Sequence, residues 1–279
     1  MRIISFGLAA GLTAVMAQPL ESQTVPAVAE ISYADLADLS LTAPFVAHVR
    51  IADVDVLSER EAPNVAPGHR RFLVDADVVA LIRGPEASPQ RITYLIDLPN
   101  DSRGRSARIR EREEKLVMAT PGGNRPGEVR LVAPDAQIPY SPLIADRIRG
   151  LLREATGASP PPRITGIGRA FHVPGSLAGE SETQIFLQTQ DERPISLNVL
   201  RRPGEQPRWS VALSEIVDDA AGPPQAESLL WYRLACTLPP ALPARSLAEA
   251  GPDERRFIQA DYRLILERLG PCLRTRIRR

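Results

Sequence analysis

"RFLVDADVVALIRG", residues 71–84, decides how this chain is read. Phe72, Val74, Ala76, Val78, Ala80 and Ile82 fall on one side of an extended backbone, while Asp75 and Asp77 point the other way. That period of two is the signature of a strand with one buried face. Upstream, "FVAHVRIADVDVL" (45–57) alternates in the same manner, and its phase slips near Ala52-Asp53, which predicts a bulge. Downstream, "RITYLIDL" (91–98) places Ile92, Tyr94, Ile96 and Leu98 together. "EKLVMAT" (114–120) and "EVRLVA" (128–133) complete the strand-like runs. The connectors "APNVAPG", "GPEASP" and "PGGNRPG" carry turn residues, and 99–113 is a long charged loop.

Helices flank these strands. In "SYADLADLSL", Ser32 is an N-cap with Asp35 three residues on, and Pro44 stops the helix. A second helix starts at Ser141-Pro142, presents Leu143, Ile144, Ile148, Leu151 and Leu152, and ends at Gly157. "GASPPPR" then reads as a linker. From Ile164 a further series follows: "ITGIGRAFHV", "ETQIFLQTQ", "PISLNVLRR", "RWSVALSEIV" and "SLLWYRLAC". Short strands with polar turns predict an antiparallel sheet, folded as a sandwich or small barrel. The last element is a helix in "GPDERRFIQADYRLILERLGP", with an apolar stripe at Ile258, Tyr262, Ile265, Leu266 and Leu269. The expected fold class is therefore mostly β with flanking helices (α+β). A five-stranded OB-like barrel domain occupies 18–157, a Pro-rich linker 158–163, and a second antiparallel β domain with a C-terminal helix 164–279.

The 279 residues are 43% apolar, enough for a core, and with only 5% aromatics that core is aliphatic. Acidic and basic residues balance at 34 each, which gives no reason to expect nucleic acid as a partner. Lys115 is the sole lysine. An arginine bias suits planar recognition of carboxylates or phosphates, and a GC-rich genome produces the same bias.

"MRIISFGLAAGLTAVMAQP" has a basic n-region at Arg2, an uncharged apolar run from Ile3 to Val15, and a small residue at Ala17. It reads as a signal peptide over residues 1–17, so the expected location is periplasmic or secreted. In an oxidising compartment Cys236 and Cys272 are expected to form a disulfide.

Chemistry-bearing motifs are sparse. "FHVPGSLAGESETQIFLQT" (171–189) gathers His172, Ser176, Glu180 and Glu182. Ser176 lacks the G-x-S-x-G spacing of a nucleophile elbow, and strand rather than helix follows it. His48, His69 and His172 lie far apart, and no H-E-x-x-H pattern is present. "TGIGRAF" lacks the third glycine of a dinucleotide loop. No catalytic, metal or cofactor residue is assigned, and no cofactor is expected. The C-terminal "RTRIRR" could make weak contact with an anionic membrane surface.

Residues 45–133 resemble the OB barrel of the netrin and metalloproteinase-inhibitor family, on "FVAHVRIADVDV", "FLVDADVVALIRG", "RITYLIDLP" and "EKLVMAT". That resemblance implies a five-stranded barrel with flanking helices, in a family where many members bind proteins. The family's inhibitors reach a protease zinc through an N-terminal cysteine. No cysteine lies near Gln18, so no functional residue carries over. The chain as a whole resembles exported alphaproteobacterial proteins.

The expected function is a periplasmic binding or scaffold protein, non-enzymatic, whose partner is another envelope protein or a small ligand. His172, Glu180 and Glu182 are candidate partner contacts. The alternative is an envelope hydrolase built around His172, Ser176, Glu180 and Glu182. Export predicts that protein recovered from the periplasm begins at Gln18 on N-terminal sequencing; a chain retained in the cytosol and beginning at Met1 would contradict it.

Overall fold

The computed structural model describes residues 31–123, 125–213 and 221–276, which belong to one compact unit. The expected signal peptide with its cut after Ala17, the end of the "RWSVALSEIV" run and Ile277 to Arg279 lie outside the described residues.

Helix α1 (Tyr33–Thr42) starts where Ser32 accepts a hydrogen bond from the Asp35 amide at 3.1 Å, as its sequence required. Strands β1 (Phe45–Val56), β2 (His69–Arg83) and β3 (Arg91–Pro99) form an antiparallel meander. Strands β4 (Glu114–Pro121) and β5 (Val129–Leu131) return on the other side of β1, giving the order β3-β2-β1-β4-β5. A short β6 (Gln137–Pro139) also pairs with β4. The sheet nearly closes on itself. The Thr93 amide donates to the Gly127 carbonyl at 2.9 Å, and Thr93 bridges Glu128 in parallel. Antiparallel strands with one parallel seam make an OB-type barrel. The register of β1 against β2 shifts between Ile51 and Asp53, which leaves Ala52 as the bulged residue.

Alternation fills the barrel. Ala47, Val49, Ile51, Phe72, Val74, Ala76, Ile92, Tyr94, Ile96, Val117 and Ala119 share the interior. Strand β4 is buried on both faces. Its other side, Leu116 and Met118, packs on α1 and on α2 (Pro142–Thr156), which explains why "LVMA" reads as a continuous apolar run. Ser141 and Pro142 start α2 as expected, although Leu143 is exposed rather than part of the packed stripe. The charged loop 99–113 is pinned at both ends of its turn. Asp101 accepts from the Arg103 and Arg105 amides, while Ala107 and Ile109 pack on the barrel core.

The second sheet comprises β7 (Ile164–Pro174), β8 (Ser181–Thr189), β9 (Ile195–Arg201) and β10 (Arg208–Ala212), all antiparallel in the order β10-β9-β8-β7. Its Ile167, Ile185, Leu197, Val199 and Trp209 pack on Ile258, Tyr262 and Ile265 of α4 (Pro252–Leu269). "SLLWYRLAC", expected as a fifth strand, is instead helix α3 (Leu229–Ala235). Ser228 caps it by accepting from the Trp231 amide, and Glu154 of α2 accepts from the Leu229 amide at 2.8 Å. The run is apolar enough to suit either state; these two caps select the helix, which buries Leu229 and Leu234.

Cys236 and Cys272 are bonded, with Cα atoms 5.0 Å apart. The bond joins the C-cap of α3 to the segment after α4, not a strand to a helix as expected. Beyond it the chain returns to α1. Arg274 pairs with Asp38 at 2.7 Å, the Thr275 hydroxyl and amide both donate to Asp35, and Arg276 pairs with Asp135. A closed loop of 36 residues is worth about 3–4 kcal/mol in the chain-entropy model. Reduction should therefore lower unfolding stability by about 3–4 kcal/mol in chemical denaturation. Alkylation should label both cysteines only after reductant; labelling without it would contradict the bond.

Candidate functional site

The stretch 171–189 forms the β7–β8 hairpin, and its chemistry-bearing residues part company there. Thr183 pairs with His172 across the strands and lies on the buried face of β8, while Glu182 points out from the opposite face. The turn closes with the Gly175 amide donating to the Glu180 carbonyl at 2.8 Å. Gly179 adopts the left-handed conformation (φ 88°), whereas Gly175 does not and needs its lack of a side chain for another reason. A Cβ there would stand 2.4 Å from Cγ of Glu180. Ser176 is exposed, and its hydroxyl lies 3.5 Å from the Glu180 carboxylate. The hairpin thus joins Ser176 to Glu180 and His172 to Thr183, and leaves Glu182 apart from both pairs.

His172 instead belongs to a buried polar chain that sequence reading missed. Its Nδ1 is 2.8 Å from the Thr183 hydroxyl, which donates to Asp261 of α4 at 2.5 Å. The other Asp261 oxygen accepts from Arg201 Nε at 3.0 Å and from the same guanidinium's terminal nitrogen. Asp261 and Thr183 are fully buried, and the His172 ring stacks on Phe257, centroids 4.5 Å apart. A buried carboxylate is tolerable only when its lone pairs are met, and here a hydroxyl and a guanidinium meet them. The chain fastens α4 to β7, β8 and β9. His48 has a similar structural setting, stacked on Tyr140 and 3.0 Å from Glu114, which Arg50 also holds. His69 lies at the start of β2 with Nδ1 3.2 Å from the Pro67 carbonyl. Among the described residues no group of three or more His, Cys, Asp or Glu is arranged to hold a metal ion.

A large concavity lies elsewhere among the described residues. A cleft of about 1070 Å³ opens where the end of β3, the β5–β6 connection, α1, the start of β7, the end of α3 and the C-terminal segment meet. Leu41, Leu98, Val132 and Ile164 give it largely apolar walls. Its carboxylates are engaged: Asp97 by Arg71 in a two-bond fork, Asp38 by Arg274 and the Tyr232 hydroxyl, Asp135 by Arg276. Each of these pairings holds a carboxyl or raises a guanidinium in the expected sense. Asp97 titrates below the ordinary aspartate value because Arg71 hydrogen-bonds its charged form. Exposed Arg163 and half-buried Arg233 also line the cleft, and among the described residues neither forms a close ion pair, although Asp191 attracts Arg233 from a distance. Arg233 is held below the ordinary arginine value, first by burial and then by repulsion from Arg163 and Arg193. No helix of the described residues is long and apolar enough to cross a membrane.

The His172 chain generates a pH dependence. Burial is the largest cause of a lowered His172 pKa, opposed by Asp261, reinforced by Arg201 and opposed again by Glu254. The unfolded chain then takes up the proton first as pH falls, so stability is full above 6.5 and declines below it. Denaturation midpoints should fall as pH is lowered from about 7 towards about 5.5, and His172→Phe should flatten that fall. An unchanged slope in the variant would contradict the assignment.

No known protein family matches the sequence, and comparison with curated proteins finds no relative, so the cleft and its two unpaired arginines are the features from which a function must be argued.

Proposed function

We propose that this chain is an exported binding protein of the cell envelope, and that the cleft between the barrel and the second sheet is where it holds a ligand. The observation that carries the reading is the cleft itself. At about 1070 Å³ it matches or exceeds the sites that enclose drug-sized ligands, and its walls are drawn from separate parts of the chain, from α1 to the C-terminal segment. The signal-like N-terminus and the disulfide support export. Scaffolding by the outer barrel surface is compatible with the same architecture, but a small ligand is the occupant that a cleft of this volume suits.

The hydrolase alternative fares less well. Its base, His172, faces Thr183 and Asp261 within the fold, and its nucleophile, Ser176, faces Glu180 in an exposed turn. A nucleophile and its base need hydrogen-bond reach of about 2.6–3.2 Å, and each of these residues has another partner instead.

The test pairs two assays on the mature protein. A thermal-shift screen of small metabolites should yield at least one stabilising compound whose effect is lost when Leu98→Trp fills the cleft. A panel of ester and glycoside substrates should show no turnover. Turnover abolished by Ser176→Ala or Glu182→Gln, with the fold intact, would replace the binding reading with the hydrolase one.

A further inference from the structure

Within the cleft, guanidinium groups outnumber carboxylates. Three carboxylates line it, Asp38, Asp97 and Asp135, and each is already matched to a named arginine. Arg163, just before β7, and Arg233, in the last turn of α3, remain over. The helix end behind Arg233 favours a cation, yet it does nothing to relieve the repulsion between the two guanidiniums. Arg193 stands near as a third positive group. It is satisfied by Asp191 at 2.7 Å and the Pro160 carbonyl at 2.8 Å, so it adds field without needing a further partner. Burial and repulsion act on Arg233 together, Asp191 offsets them only in part, and an anion between the two cleft arginines would relieve both.

Guanidinium suits an oxyanion in particular. It offers paired N–H donors in a plane that fits a carboxylate or a phosphate, and it stays charged at any pH the protein meets. The rest of the cavity is of the opposite kind. Leu41, Leu98, Val132 and Ile164 offer nothing to a polar body, and the three carboxylates among them are already matched.

We infer that the ligand is a small amphipathic oxyanion, its carboxylate or phosphate head held between Arg163 and Arg233 and its apolar body lying along the walls of the cleft. This inference rests on the reading of the cleft as a ligand site and adds the chemical class of what fills it. Sequence could not have paired these residues. Arg163 follows three prolines and Arg233 lies in a run that reads as a strand.

Isothermal titration calorimetry on the mature, oxidised protein tests it with four probes: octanoate, octyl phosphate, inorganic phosphate and 1-octanol. Octanoate or octyl phosphate should bind, and whichever binds more tightly names the head group. The Arg163→Gln/Arg233→Gln double variant should bind about tenfold more weakly or worse, with its thermal midpoint retained. Arg233→Lys, which keeps the charge but not the fork, should fall between the two. Raising salt from about 50 to about 300 mM should weaken the wild type more than the double variant. If 1-octanol bound as tightly as octanoate and the variants changed nothing, the anion would be overturned while the cleft stood as a ligand site. If inorganic phosphate bound as tightly as octyl phosphate, the apolar body would be overturned. If none of the four bound, both the inference and the ligand-binding reading would fall.

Discussion

Two aspartates on one face of α1 hold the protein's three parts to one another. Asp35 is fully buried, and Asp38 nearly so. A carboxylate in that position costs several kcal/mol unless its oxygens find donors. Asp35 finds Ser32 within its own helix and the Thr275 amide and hydroxyl from the other end of the chain. Burial alone would raise its pKa, but these donors more than offset the effect, so it remains charged. Asp38 finds Tyr232 of α3 and Arg274. Helices α1 and α3 and the C-terminal segment are thereby tied at one point, and the disulfide fixes the last two to each other. The cleft exists because these elements meet around it without filling it.

The same logic of satisfied buried charge recurs at Asp261, which binds α4 to the second sheet through Thr183 and Arg201. There the donors complete the site and leave nothing over. In the cleft they do not: the acids are matched, and Arg163 and Arg233 are in excess. Two cations beside a concave, largely apolar space whose own acids are matched make a site suited to a complementary charge.

Elements with local signals were legible in the sequence. The barrel strands followed from alternation, the bulge at Ala52 from a slip of phase, and the starts of α1 and α2 from Ser32 and Ser141-Pro142. Helix α3 was not legible, because "LLWYRLA" is apolar at too many positions to show a period and its caps come partly from Glu154, 75 residues away. The cleft was hidden for the same reason. Asp35 and Thr275 are 240 residues apart, and Asp261 sits among charged neighbours in a helix that reads as solvated at that position. His172 stood out as a rare residue, and its rarity marked a structural role shared with Thr183 and Asp261 instead of a place beside Ser176.

The central claim is that the cleft carries an anionic ligand on Arg163 and Arg233. Native mass spectrometry of the protein isolated from its host cells tests this most directly. The account predicts a small-molecule adduct on the wild-type chain, released on denaturation, ionising in negative mode and absent from the Arg163→Gln/Arg233→Gln variant prepared in parallel. A bare wild-type mass, or an adduct carried equally by the variant, would contradict it.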